Sequence, residues 1–278
     1  MRRFYQRTLD YLGCDVMSNQ AQILVTRPED KICLVTLNRP EKRNALNGDV
    51  IQEWIDTLQK IANDSTIRVV ILNGNGDHFC AGADIDWMHK MSKLSHQDNV
   101  NDAMQLATLL KLIYTFPKPV IGLVHGATMG GGLGVMACCD IVIAADNSVF
   151  CFSEAKIGLT PSVISPYVIP VMGERAARYY FLTAEKFDAK KAEQLYLVQH
   201  ITPLDIIFNY GLSLADSMLK NSAHALSEAK KLIRHVADHS LSDDLVKFTA
   251  EHLATMRAST DAEEGLISFL EKRKPIWK

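Results

Sequence analysis

The sequence predicts a mixed α/β fold, built as stacked ββα turns with a helical C-terminal region. Three observations point there. Short apolar strands alternate with helical stretches through the first half, which calls for parallel pairing through crossovers. A β-β-α unit recurs at about 45–50 residues, the spacing of stacked units rather than of a simple doubly wound sheet. Beyond Pro161 the strand signals give way to amphipathic helices.

Residues 23–26 and 32–37 are β-rich runs around a turn signal at Pro28 and Asp30, which reads as a hairpin. Asn38-Arg-Pro-Glu-Lys-Arg-Asn44 is a polar break. From Asn47 onward Val50, Ile51, Trp54, Ile55, Leu58 and Ile61 recur at helical spacing. Residues 69–72 form a buried-type strand running into a polar, glycine-containing stretch, 73–84. A long helix is predicted over 101–114, ended by Pro117 and Pro119. Residues 120–124 form the next strand, followed by His125-Gly-Ala-Thr-Met-Gly-Gly-Gly132, a short helix and a strand at 141–144. Helices are then predicted over 171–181, 188–196, 204–219, 223–238, 242–256 and 261–272, with Asn221, Ser240 and Thr260 beside the N-caps.

Without a Pro/Gly/Ser linker between them, an α/β core over 17–202 and a helical region over 203–278 are expected to share one body. Residues 1–16 carry Arg2, Arg3 and Arg7 against Asp10 and Asp15 and lack an apolar h-region. They read as a flexible extension or as sequence ahead of a start at Met17, with a targeting segment as the alternative.

Composition narrows the function classes. The 278 residues are 47% apolar, enough for a sizeable core. Lys and Arg total 30 against 32 Asp and Glu, so no basic field draws nucleic acid or a membrane surface. Apolar runs stop well short of the about 18 residues a spanning helix needs. The six cysteines, Cys14, Cys33, Cys80, Cys138, Cys139 and Cys151, include no Cys-x-x-Cys pair, so zinc and thioredoxin-like sites have no support. A reducing, cytoplasmic setting fits them.

Two glycine-containing segments follow apolar strands: Phe79-Cys-Ala-Gly-Ala-Asp84 and Gly130-Gly-Gly-Leu-Gly134. Neither Gly74-Asn-Gly76 nor the pair Gly130 and Gly132 completes a dinucleotide fingerprint, because Phe79 and Val135 stand where a third glycine is required. Gly-Lys-Ser/Thr, His-Glu-x-x-His and Gly-x-Ser-x-Gly are all missing. Two uses of the glycines remain. They expose backbone N–H groups at a helix start, where an oxyanion can be held, or they only permit tight helix–strand contact.

Five segments in order carry a resemblance to a known family. They are Leu37-Asn-Arg-Pro-Glu-Lys-Arg-Asn-Ala-Leu46, Phe79-Cys-Ala-Gly-Ala-Asp-Ile85, Gly126-Ala-Thr-Met-Gly-Gly-Gly132, Cys139-Asp-Ile-Val-Ile-Ala144 and Ser153-Glu-Ala-Lys-Ile-Gly-Leu-Thr-Pro161. On these the chain resembles the crotonase (enoyl-CoA hydratase/isomerase) superfamily from residue 23 to residue 277. The resemblance implies a crotonase-like superhelix of stacked ββα turns and an acyl-CoA thioester as substrate. It implies that the N–H groups of Ala83 and Gly131 form an oxyanion hole. It further implies that Arg43 and Ala45, with the run Ala81, Ala83, Asp84 and Ile85, lie along the CoA. Phe269 and Lys272 match residues that reach a CoA in this or a neighbouring subunit; the alternative is a core aromatic and a solvated lysine. Coenzyme A would enter only as part of the substrate, with no metal and no redox cofactor. A homotrimer or dimer of trimers is implied, with residues 203–278 involved in oligomerisation.

Hydratases of the family use two glutamates. The second matches Glu154, expected to be desolvated among Phe150, Phe152 and Ile157 and so raised in pKa. The first would stand at Gly134 and is missing. Three mechanisms stay open: Glu154 handles both protons of a hydration, it moves one proton as an isomerase base, or another group, such as Asp84, Asp86 or His125, replaces the missing carboxylate. In Phe79-Cys-Ala-Gly-Ala-Asp-Ile-Asp-Trp-Met88, Gly130-Gly-Gly-Leu-Gly134 and Gly158-Leu-Thr-Pro-Ser-Val-Ile-Ser-Pro-Tyr-Val168 the chain further resembles bacterial methylglutaconyl-CoA hydratases of leucine and isovalerate degradation, which also carry Gly at that place. A dicarboxylic substrate would look to Lys156 or Ser165, and Trp87 and Met88 either wall the acyl pocket or belong to the core. The rival from another class is an RNA-binding or catalytically silent scaffold, supported by Lys272-Arg-Lys274 alone.

Overall fold

The computed structural model describes residues 21–277; the extension expected at 1–16 lies outside them. The chain opens with the expected hairpin, β1 (Ile23–Glu29) antiparallel to β2 (Ile32–Leu37). Pro28 falls where the register shifts between Thr26 and Glu29, a place that needs no ladder N–H. Helix α1 (Gly48–Asn63) starts where the Asn47 side chain caps the Val50 N–H, and it buries the six apolar residues read from the sequence.

The next strand is β3 (Val69–Gly74), followed by α2 (Ile85–Met91) and α3 (His96–Tyr114). Then β4 (Val120–Val124), β5 (Ala127–Met129), α4 (Gly131–Cys138), β6 (Ile141–Ala145) and β7 (Val149–Cys151) follow in turn. Strands β4 and β5 are consecutive in the chain, yet belong to different sheets, and so do β6 and β7. Adding β8 (Phe187–Asp188) and β9 (His200–Thr202), the sheets run β1-β2-β3-β4-β6-β9 and β5-β7-β8. Each central turn gives one strand to each sheet before its helix, which is the ββα stacking the sequence predicts. In the larger sheet every pair from β2 onward is parallel.

Both faces of that sheet are covered, as parallel sheets require. Cys33, Val35, Val70, Leu72, Val120 and Val124 face the main core. Their chain neighbours Ile32, Leu34, Val69, Ile71, Ile121 and Leu123 face a second layer with Ile207 and Ala215 of α8 (Ile207–Leu219). The period of two along each strand sorts them. The remaining helices are α5 (Ser165–Met172), α6 (Glu174–Thr183), α7 (Ala189–Gln194), α9 (Ala223–Ala237), α10 (Asp243–Arg257) and α11 (Thr260–Leu270). Helix α9 is pinned to the strand bases by Lys230, whose Nζ donates to Asp140 Oδ2 at 2.5 Å and to the Lys118 carbonyl at 2.8 Å.

Several boundaries differ from the sequence reading. Helix α2 lies in 85–91, which the sequence reading left unassigned, and it buries no residue. Helix α3 begins at His96 rather than 101 because Ser95 and Asp98 form a capping box. The helix read over 171–181 is two, separated at Gly173. In the C-terminal region the caps are Ser222, Ser242 and Ser259.

Candidate active site

The site is built from two strand exits. The first is the stretch after β3. Asn44 ties it to the loop before α1: its Oδ1 accepts from the Arg39 N–H at 2.9 Å, and its Nδ2 donates to the carbonyls of Asn75 and His78 at 2.8 and 2.7 Å. His125 Nε2 lies 2.9 Å from the Gly76 carbonyl and helps hold the loop from the other side. The Ala81 N–H donates to the Arg43 carbonyl, the Leu46 N–H to the Gly82 carbonyl and the Asp84 N–H to the Leu46 carbonyl. Thus the Arg43–Ala45 turn and the Ala81–Asp84 run lie side by side, though far apart in sequence. The Ala83 N–H has no acceptor among the described residues.

Asp84 closes this loop. Its carboxylate caps α2 by accepting from the N–H groups of Asp86 and Trp87, and it pairs with Arg39 Nη2 at 3.1 Å. Burial opposes its charge, but the Arg39 and Trp87 donors outweigh it and hold the carboxyl below its usual pKa. Arg39, which the sequence reading passed over, also donates to the Ala45 carbonyl at 2.7 Å. Both ends of that arrangement were visible as charges; their meeting was not.

The second exit runs from β5 into α4. The Gly130 N–H donates to the Cys151 carbonyl, and the Gly130 carbonyl accepts from Leu133 and Gly134. Gly131 opens the helix, so its N–H has no intrahelical acceptor, and none faces it among the described residues. The two exits touch. A Cβ on Gly132 would stand 2.6 Å from the Cys80 carbonyl oxygen, and one on Gly82 would stand 3.0 Å from the Met129 carbonyl oxygen. The glycines therefore divide the two uses left open: Gly132 and Gly82 permit close contact, whereas Gly131 has ordinary room, with Leu46 Cδ1 at 3.5 Å and Leu106 Cδ2 at 3.9 Å from its Cβ position. Two N–H groups without acceptors, one at a helix start, suit an oxygen that gains negative charge.

Glu154 follows β7, at the start of a 3-10 turn (Glu154–Ile157). Its carboxylate lies against Gly130, with Oε1 3.1 Å from the Cβ position of that glycine. Oε2 is buried without a hydrogen-bond partner among the described residues. Burial raises the Glu154 pKa, opposed in part by its own backbone N–H. The apolar surround differs from the expected one. Ile157 is 53% exposed, and Phe152 and Phe150 turn into an aromatic cluster with Phe181 and Phe187.

The other expected residues are placed as follows. Arg43 and Ile85 are exposed and Ala45 is buried. Trp87 lays its ring on Gly48 and donates its indole N–H to Asp102 at 2.8 Å. Met88 is half-buried. Asp86 pairs with Lys42 at the surface. Lys156 approaches Cys151 Sγ, and the Ser165 hydroxyl donates to the Ser162 carbonyl. Phe269, on α11, is 81% exposed and joins neither hydrophobic cluster. Lys272 is exposed too. In the basic run 272–274, Arg273 is tied to Glu264 and Glu271. Among the described residues no group of three or more His, Cys, Asp or Glu side chains could hold a metal ion, and no helix is long and apolar enough to cross a membrane.

The family model described as enoyl-CoA hydratase/isomerase matches residues 27–278. This chain belongs to that family. A solved enoyl-CoA hydratase from Shewanella pealeana superposes with a TM-score of 0.90 at 39% identity, over 93% of this chain and 97% of that one. The chain is therefore a crotonase-fold enzyme of the hydratase/isomerase family. It is 32% identical to the 2,3-dehydroadipyl-CoA hydratase of Escherichia coli K12, over 93% of this chain and 99% of the relative. It is also 32% identical to the mitochondrial Delta(3,5)-Delta(2,4)-dienoyl-CoA isomerase of Dictyostelium discoideum, over 88% and 86% of the two chains. Relatives of both reaction types thus stand at the same identity, and the family alone does not choose between hydration and isomerisation.

Proposed function

We propose that this member of the family hydrates a 2-enoyl-CoA, with Glu154 as its acid/base and the Ala83 and Gly131 N–H groups as its oxyanion hole. The observation that carries the reading is the Glu154 carboxylate. It is desolvated, and it lies against the residue preceding the Gly131 amide; among the described residues neither its Oε2 nor that amide has a hydrogen-bond partner.

In this reading the thioester carbonyl accepts from both amides. Glu154 takes a proton from water as the water oxygen bonds to C3. The electrons of the C2–C3 double bond move onto the thioester oxygen as an enolate. The two amides stabilise that charge, an effect of about 3–4 kcal/mol for one such donor elsewhere. The enolate then collapses, and the proton on Glu154 passes to C2. CoA is carried by the substrate and lies along Arg43, Ala45, Ala81, Ala83, Asp84 and Ile85, with Phe269 and Lys272 offered to a CoA of this or a neighbouring subunit in a homotrimer or dimer of trimers. Methylglutaconyl-CoA is the substrate proposed first. It combines a conjugated thioester with a second carboxylate, and the named substrate of the Escherichia coli relative, 2,3-dehydroadipyl-CoA, does the same.

A second reading is isomerisation, in which Glu154 removes a C2 proton from a 3-enoyl-CoA and returns it to C4. The absence of a side chain at Gly134 favours it, because one base suffices. Spectroscopy of the purified protein separates the two. Loss of the conjugated thioester absorbance of but-2-enoyl-CoA or methylglutaconyl-CoA is expected for hydration. Gain of that absorbance from a 3-enoyl-CoA, with 2-enoyl substrates left untouched, would overturn hydration in favour of isomerisation.

A further inference from the structure

Helix α4 has a position where no side chain fits. A Cβ on Gly134 would stand 2.3 Å from Ile164 Cγ2, 2.9 Å from Ile164 Cβ and 3.3 Å from Leu110 Cδ1. The conflict reaches the Cβ of Ile164, so a change of rotamer alone does not relieve it. Ile164 is buried, and its carbonyl accepts from the Tyr167 and Val168 N–H groups at the start of α5, which holds its backbone in place. Leu110 is buried on α3. Gly131 and Gly134 are three residues apart and share one face of α4. Beside them stand Leu46, Leu106, Leu110 and Ile164, all apolar.

We infer that Ile164 is a specificity-determining residue: it fills the volume into which a second carboxylate on α4 would project, and it commits the site to one-carboxylate chemistry on an acyl group seated against hydrocarbon. This rests on the proposed hydratase reading. The missing glutamate is then more than an omission in the sequence, because its space is occupied. The part of the acyl group that meets this wall is hydrocarbon, such as a methyl branch, and a distal carboxylate on the substrate points elsewhere.

The test compares wild type, Gly134→Glu, Ile164→Ala and the double variant, with Gly134→Ala standing in if the glutamate prevents folding. The steric assignment is read from melting alone. Gly134→Glu is expected to melt below wild type, and adding Ile164→Ala is expected to recover part of that loss, although Ile164→Ala by itself lowers Tm. A Gly134→Glu protein as stable as wild type, or a double variant in which the two losses simply add, overturns it. The chemical assignment is read with but-2-enoyl-CoA. Wild type is expected to show one ionisation in kcat/KM, and the double variant two. Glu154→Gln placed in the double variant is expected to keep at least about tenfold more turnover than Glu154→Gln alone, the scale of one general acid/base group. A second ionisation in wild type, or no such rescue, overturns one-carboxylate control by Ile164. Absence of wild-type turnover on every enoyl-CoA instead defeats the hydratase reading, and the melting comparison still decides the steric one.

Discussion

The Glu154 carboxylate occupies the space a side chain on Gly130 would need: Oε1 is 3.1 Å and Cδ 3.6 Å from the point where that Cβ would sit. Gly130 has φ 45, a backbone conformation that L-residues rarely adopt, and its successor carries the Gly131 amide. One residue therefore meets the candidate acid/base and leads into a candidate oxyanion donor.

Gly130→Ala follows directly. The strained backbone costs about 1–3 kcal/mol, and the methyl pushes on the carboxylate. The expected result is a lower Tm together with a fall in kcat larger than the rise in KM. Calorimetry and steady-state kinetics on an enoyl-CoA check it; unchanged kcat would show that this contact does not position Glu154.

Glu154→Gln keeps the shape and removes the base. Turnover is expected to fall by about 10²–10⁴-fold, the usual contribution of a general acid/base, while CoA binding stays within a few-fold. Titration of CoA into both proteins measures the second part. Near-wild-type turnover would remove Glu154 from the mechanism.

The same group sets a pH dependence. Burial raises its folded pKa above the ordinary 4.5, so the folded chain holds that proton more tightly than the unfolded chain does. Its contribution to stability is present in full below the unfolded value and is lost as pH rises through the folded value. At pH 7 the buried charge works against folding. Glu154→Gln is therefore expected to melt above wild type at neutral pH, by a margin that closes in acid. The activity runs the other way, since kcat/KM needs the ionised base and rises with pH through the same pKa. Melting curves and rate profiles from pH 4 to 8 test both signs.

Asp84 gives the opposite linkage. Its carboxyl is held below the usual range by Arg39 and the Trp87 amide, against its burial, so its stabilisation is present above the unfolded pKa and fades as pH falls through the folded one. Asp84→Ala removes a helix cap and leaves the Arg39 guanidinium without this partner, with a cost of roughly 3 kcal/mol at pH 7. Denaturant unfolding at pH 7 and in acid should show the gap to wild type shrinking; a gap that is flat with pH would show that neither the Arg39 pair nor the cap draws on the ionised carboxyl.

Much of this was legible in local signals. The alternation of Val69, Val70, Ile71 and Leu72 marks a strand buried on both faces, and the stripe from Val50 to Ile61 marks a helix that buries one side. Helix α2 was not legible, because what starts it is the Asp84 cap and it buries no residue. Nor was the break at Gly173, since the apolar pattern runs on across it. Within the candidate site, Glu154, Ala83 and Gly131 stood out through motif and resemblance, while nothing in the local spacing showed that Arg39 meets Asp84 or that Ile164 meets Gly134.

The sequence by itself determined the ββα order, the helical C-terminal region, the family resemblance and the lack of a carboxylate at Gly134, because each is written in residue types and short spacings. Only the tertiary structure decided which glycine allows contact and which leaves an amide free, what lies against Glu154, and that Ile164 closes the space beside Gly134. Those are distances between segments remote in the chain, and periodicity does not reveal that a Cβ at Gly134 would fall 2.3 Å from Ile164 Cγ2.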